Sequence, residues 1–386
     1  MKNRSSFDNP ARTAVIVIHG IGEQVPYETL DAFATTFVKC LHNVELSHEI
    51  ITRKDGNGIE WQESFVQIDH ENGPPIDIHE YYWAYLTEEQ ISIPEVLSWV
   101  QQTLEATKKF YQSDVELQKK YEERRGTKKF PLLYVLRLLR AAAIVLPFLK
   151  LAWLIASPFS HKPLDRWLHA LLDRFGWIIT GYIGDVAIYT TTDEKSKYYR
   201  IRQEILKECQ ALVEEILNDK RYDRVIIAGH SLGSVIAYDT LNRINIETNL
   251  NGKNSIPIKK LSGLITFGSP LDKVAFFFRE HTRSDQYIRR QILAHLHSFK
   301  SKPLDFQKED HIVRDPLARN LDFIPWVNYY ARKDPVSGHL DFYDIKSGDN
   351  VELALPQPWG AAHCGYWTSL QFYDDIVTRF IKSYNS

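Results

Sequence analysis

Residues 14–18, Ala-Val-Ile-Val-Ile, are apolar without alternation, the pattern of a strand covered on both faces. His19-Gly-Ile-Gly-Glu23 follows at once, and a helical periodicity runs from about 27 to 41. Residues 64–69 and 76–85 predict a pair of strands, the second rich in aromatics at Tyr81-Tyr-Trp83. Later the rhythm repeats: a short strand at 185–189, a long amphipathic helix at 194–218, and a second unalternating strand at 224–228. A helix is expected over 234–241, with further strands at 260–267 and 325–331. The polar stretch 282–322 reads as a long loop region, and a helix from about 368 to 383 closes the pattern. Strands alternating with helices imply a mostly parallel central sheet covered by helices on both faces.

Between 94 and 181 this rhythm stops and no strand is predicted. Residues 101–150 hold eleven Lys and Arg against five Asp and Glu, and 131–159 is the most apolar part of the chain. Arg137, Arg140 and Lys150 interrupt that run, and Pro147 and Pro158 would kink or end a helix. Two short amphipathic helices fit it better than one span of about 20 residues. Three readings stand: a cap or lid whose basic, Trp-bearing face also touches lipid, a cap that only packs over the core, and a membrane span. The division is therefore a core at 1–93 and 182–386 and a helical cap or lid insertion at 94–181.

Composition narrows the function classes. With 386 residues, one large domain bearing an insertion, or two domains, is expected. Forty-seven Lys and Arg against 49 Asp and Glu give no basic excess, and no nucleic-acid module is present, so a nucleic-acid partner is not expected. Cys40, Cys209 and Cys364 match no metal-ligand spacing and read as reduced thiols of a cytoplasmic protein. The apolar run at 14–18 is too short for a signal-peptide core.

Candidate chemistry starts at Gly229-His-Ser-Leu-Gly233. A serine between two glycines, after a buried strand and before a helix, is the pattern of a nucleophile elbow. Ser231 needs a base and an orienting acid, and the order Ser, then Asp, then His is met by Asp334, after the strand at 325–331, and His363, before the last helix. Asp334 also reads as a turn residue, being followed by Pro335, and Asp341 is the reserve acid. His311 and His339 compete with His363. An oxyanion needs two N–H donors: that of Leu232, and one from the loop after the first strand, Ile21 first and Gly22 next. That loop lacks the Lys and Ser/Thr of a phosphate-binding loop. Leu146, Phe148, Trp153 and Leu271 are candidates to line an acyl site.

Together, H-G-I-G at 19–22, G-H-S-L-G at 229–233, F-G-S-P at 267–270, Asp334-Pro335 and the late His363 resemble the lipase and esterase branch of the α/β-hydrolase superfamily. A narrower similarity joins Gly184-Asp-Val-Ala-Ile-Tyr189, the G-H-S-L-G-S form, and Asp334-Pro-Val336 with Leu340 to the intracellular phospholipase A1 family, whose Asp/His-rich metal-binding domain has no match here. The resemblance implies an α/β-hydrolase fold and a Ser231–His363–Asp334 triad. It implies cleavage of carboxylic esters of apolar acyl chains without metal or organic cofactor. The expected partner is a lipid or other acyl ester, with peripheral membrane contact through 131–160. A thioesterase or acyltransferase on the same triad, and a membrane-associated interaction protein without catalysis, are the alternatives.

Overall fold

The structure is a computed structural model describing residues 12–20, 25–54, 60–71, 73–87, 197–251, 256–272, 286–297, 299–300, 311–334, 336–358 and 361–382. The predicted insertion at 94–181 and the short strand at 185–189 lie outside the described residues, as do Leu146, Phe148 and Trp153.

Among the described residues the chain builds one eight-stranded sheet: β1 Arg12–Ile18, β2 Glu45–Lys54, β3 Glu60–Asp69, β4 Ile76–Tyr81, β5 Tyr222–His230, β6 Leu261–Phe267, β7 Trp326–Tyr330 and β8 Asn350–Glu352. Their spatial order is β2-β3-β4-β1-β5-β6-β7-β8. From β4 to β8 every pair is parallel, and only β2–β3 and β3–β4 are antiparallel. This is an α/β fold with a mostly parallel sheet.

The unalternating strands are covered on both faces, as their composition requires. Ala14, Ile16 and Ile18 of β1 join one core with the helices α2 Lys197–Asn218 and α3 Leu232–Leu250. Val15 and Val17 join the other with α1 Glu28–Phe37 and α5 Leu370–Ile376. After β1 the chain moves to the β4 side of the sheet, and it returns on the far side of β1 as β5. Strand order therefore reverses between β1 and β5, and their C-terminal ends flank the crevice where open α/β sheets place ligands.

Several boundaries differ from the sequence pattern. Strand β2 was not predicted: it is an edge strand whose apolar Leu46 and Ile50 face solvent, so it carries no buried-strand signal. β8 is a three-residue edge strand, too short to read. The region 282–322 is not all loop, because α4 spans Tyr287–Leu296. Its buried face carries Gln291 beside Ala294, while Ile288, Ile292 and Leu296 are exposed. Gln291 anchors the helix by donating to the His311 carbonyl (3.0 Å) and accepting the Val313 N–H (2.6 Å). The aromatic strand ends at Tyr81, and Trp83 turns away into a 3₁₀ turn at Ala84–Leu86. α3 runs nine residues beyond the predicted 241, because Asn245 and Asn249 of its polar end bind the backbone N–H groups of Asn320 and Ala318 (2.8 Å each). The closing helix is α5 followed by a π-helical segment, Val377–Ile381. Among the described residues no helix is long and apolar enough to cross a membrane.

Candidate active site

β5 ends at His230, and Ser231 extends the parallel ladder by donating its N–H to the Phe267 carbonyl of β6 (3.0 Å). The next residue, Leu232, already begins α3. Turning a strand into a helix across one residue forces Ser231 to φ 52°, ψ −125°, a conformation that an L-side chain adopts only under strain. Its carbonyl is fixed by the Ser234 hydroxyl (2.5 Å), which in turn accepts the hydroxyl proton of Ser269 (2.7 Å), since a carbonyl can only accept.

The two glycines are required by close approach. A Cβ at Gly229 would lie 2.5 Å from the Gly233 carbonyl oxygen and 2.6 Å from the Ser234 Cα. A Cβ at Gly233 would lie 2.3 Å and 2.4 Å from the carbonyl oxygens of Ile18 and His19. Backbone hems in both positions, so no side-chain rotation relieves the clash. Gly233→Ala is therefore expected to destabilise the fold by about 3 kcal/mol or more, the upper end of overpacking effects, read as a lowered urea midpoint. An unchanged midpoint would mean that α3 does not abut β1.

His363 sits in a 3₁₀ segment, Ala361–Thr368, directly above this elbow. Its Nε2 lies 2.9 Å from Ser231 Oγ and its Nδ1 lies 3.0 Å from Asp334 Oδ2. Asp334 follows β7 and is itself buried at 3 % exposure. Burial alone would push its carboxyl up. The bonds from His363, from the Val336 N–H (2.8 Å) and from the Tyr366 hydroxyl (2.9 Å) outweigh that and hold it well below the usual carboxylate range. An ionised Asp334 only accepts, so Nδ1 of His363 carries the proton and Nε2 is left to accept from Ser231. Proton transfer from serine to imidazole is thus geometrically prepared.

The sequence also suggested a turn role for Asp334, and the structure shows it: Oδ1 takes the Val336 N–H while Oδ2 faces His363. Asp341, the reserve acid, instead pairs with His339 (2.9 Å). His311 is exposed, and its carbonyl accepts from Gln291. Leu271 is buried in the core beside β6.

Of the proposed oxyanion donors, Leu232 is the first residue of α3, so the helix offers its N–H no acceptor and its positive end points there. Ile21 and Gly22 lie outside the described residues. The described start of their loop does reach Ser231: a Cβ at Gly20 would stand 2.6 Å from the Ser231 Cβ.

Four residues that the motifs did not reveal support this arrangement. The Trp83 ring stacks on His19 (4.9 Å, 3°), its backbone N–H donates to His19 Nε2 (3.0 Å), and its indole N–H donates to the His19 carbonyl (3.1 Å). Burial holds His19 neutral, down to about 4. Glu80 accepts the N–H groups of Tyr27 (2.5 Å) and Thr29 (3.2 Å), capping α1 from another strand. Tyr366 stands three residues after His363, one 3₁₀ turn, and therefore reaches the same carboxylate. That spacing was a readable signal. His230, its ring tilted 34° against that of His363 at 4.8 Å, is the fourth.

Cys40, Cys209 and Cys364 are free, and burial pushes each thiol up, so none is activated as a thiolate. Among the described residues no group of three or more His, Cys, Asp or Glu is placed to hold a metal ion. No family model, no curated protein and no solved structure matches this chain.

Proposed function

We propose that the protein is a serine hydrolase of α/β-hydrolase type that cleaves carboxylic esters through an acyl-enzyme on Ser231. The observation that carries this reading is the unbroken chain from Ser231 Oγ through His363 to Asp334, at 2.9 Å and 3.0 Å, mounted on a strained strand-to-helix turn. Ser231 attacks the ester carbonyl as His363 takes its proton. Asp334 holds the imidazole in the Nδ1–H form and stabilises the cation. The tetrahedral oxyanion is met by the N–H of Leu232 and by a donor from the loop after β1. His363 then returns the proton to the departing alcohol. A water activated by the same imidazole releases the acid and restores the serine.

Ser231 is almost fully buried, so these charges develop out of bulk water, where each hydrogen bond counts for more. Apolar acyl chains are assigned as substrate from the apolar, basic insertion at 94–181, with lipid surfaces met through 131–160.

The test is covalent labelling. A fluorophosphonate probe is expected to modify Ser231 alone, found by peptide mass mapping, and the protein is expected to turn over p-nitrophenyl esters faster as the acyl chain lengthens. Absence of labelling would remove the hydrolase reading. Labelling with turnover of acyl-CoA but not of oxygen esters would move the assignment to a thioesterase.

A further inference from the structure

Resting on the hydrolase reading, we propose that His230 is a positioning residue: it ties the backbone of His363 to the strand that carries the nucleophile. Its Nε2 lies 2.9 Å from the His363 carbonyl oxygen. A carbonyl only accepts, so Nε2 of His230 must be the protonated nitrogen. Two successive residues therefore grip one histidine. Ser231 meets its side chain at 2.9 Å, and His230 holds its main chain at the same distance.

Such a tie has work to do because His363 lies in a 3₁₀ segment, whose i→i+3 hydrogen bonds are poorly aligned and leave latitude. His230 is also wedged by aromatic rings, with Trp367 at 4.9 Å edge-on and Phe267 at 5.0 Å. The fit extends to the next strand end. Gly268 has φ +61°, and a Cβ there would stand 3.1 Å from His230 Nε2 and 3.2 Å from His363 Cε1. Gly268 thus leaves room for both imidazoles at the end of β6.

The ring suits this task in a second way. Burial, reinforced by the neighbouring His363, pulls His230 down to about 3, so it stays neutral while His363 becomes a cation 4.8 Å away. A positively charged side chain in that place would oppose the proton transfer that the hydrolase reading requires.

The experiment compares the parent with His230→Phe, which keeps the aromatic wedge and loses the donor, and His230→Gln, which returns an N–H at similar reach. In His230→Phe the rate constant for fluorophosphonate labelling and the kcat for p-nitrophenyl butyrate are expected to fall by about 10²-fold, the scale of a small misplacement of a catalytic group. KM is expected to stay within about twofold, and labelling is expected to go to completion, which a merely misfolded fraction would not permit. His230→Gln is expected to recover most of the loss. Parental rates in His230→Phe, or equal losses in both variants, would overturn the proposal.

If His230→Phe does not fold, ¹⁵N spectra of the unmodified protein decide the matter. A neutral Nε2–H imidazole for His230 throughout pH 5–8, about a unit and a half either side of the free value, supports it, whereas the Nδ1–H form refutes it. A parent that never reacts with the probe removes the hydrolase reading and this one together. An active parent indifferent to His230→Phe removes this one alone.

Discussion

Ser231→Gly is expected to be inert toward p-nitrophenyl esters and yet more stable than Ser231→Ala. Both changes delete the proposed nucleophile, so turnover should fall by about 10⁴-fold or more in each. Both also delete the hydroxyl that His363 Nε2 accepts, so this loss cancels when the two are compared. What differs is the backbone. At an unstrained position glycine is the poorer choice by about 0.5–1 kcal/mol, because it has more conformational freedom to lose. At φ 52°, ψ −125° any Cβ is strained by about 1–3 kcal/mol, and glycine is not. The usual order should therefore reverse by about 1 kcal/mol, measured as the difference in urea midpoints at constant slope. An alanine variant as stable as the glycine one would show that the elbow stores no strain. Residual esterase activity in both would show that the serine is not the nucleophile.

The second large effect is a steep loss of stability in mild acid. His19 and His230 are buried neutral, lowered from 6.5 to about 4 and about 3. Below pH 6.5 the unfolded chain takes up protons that the folded one refuses, so stability falls as pH falls. For His19 the window runs from 6.5 down to about 4, and for His230 from 6.5 to about 3. While both windows are open the slope should approach about 2.7 kcal/mol per pH unit, at about 1.36 for each proton.

Half-buried His70, also lowered by burial, adds to this. Glu80, Glu208 and Glu214, raised by burial, act in the opposite sense near their own titration and moderate it. Asp334, held low by His363, adds its loss only in stronger acid. Set against a total stability of about 5–15 kcal/mol, the two histidines together remove about 5 kcal/mol between pH 6.5 and 4.5, a large share of it. Urea titrations from pH 7.5 to 4.5 check it. A flat profile across that interval would mean that both imidazoles reach solvent.

Both effects come from features that the chain shows only in part. The order of Ser231, Asp334 and His363 was readable because the first two follow strands that unalternating apolar runs mark locally, and the third precedes the last helix. The elbow was readable too, since two glycines flanking a serine between strand and helix leave few other geometries. The mirror case is α4, whose Ile288, Ile292 and Leu296 face solvent while Gln291 is buried, so periodicity misdirects. β2 is invisible for the related reason that an edge strand with both faces largely wet needs no apolar alternation.

Composition and local pattern by themselves determined the α/β class, the mostly parallel sheet, the position of the turn at Ser231 and a short set of candidate partners for it in chain order. Only the tertiary structure decided that His363, 132 residues from Ser231 in sequence, closes on it, and that Asp334 rather than Asp341 completes the chain. It alone set Trp83 on His19, Glu80 on the start of α1, and His230 beneath the backbone of His363. The reason is physical: periodicity records which face of an element is dry, a property of neighbours along the chain. Which imidazole meets which carboxylate depends on where separate strands end in space, and on the burial that fixes their protons once they meet.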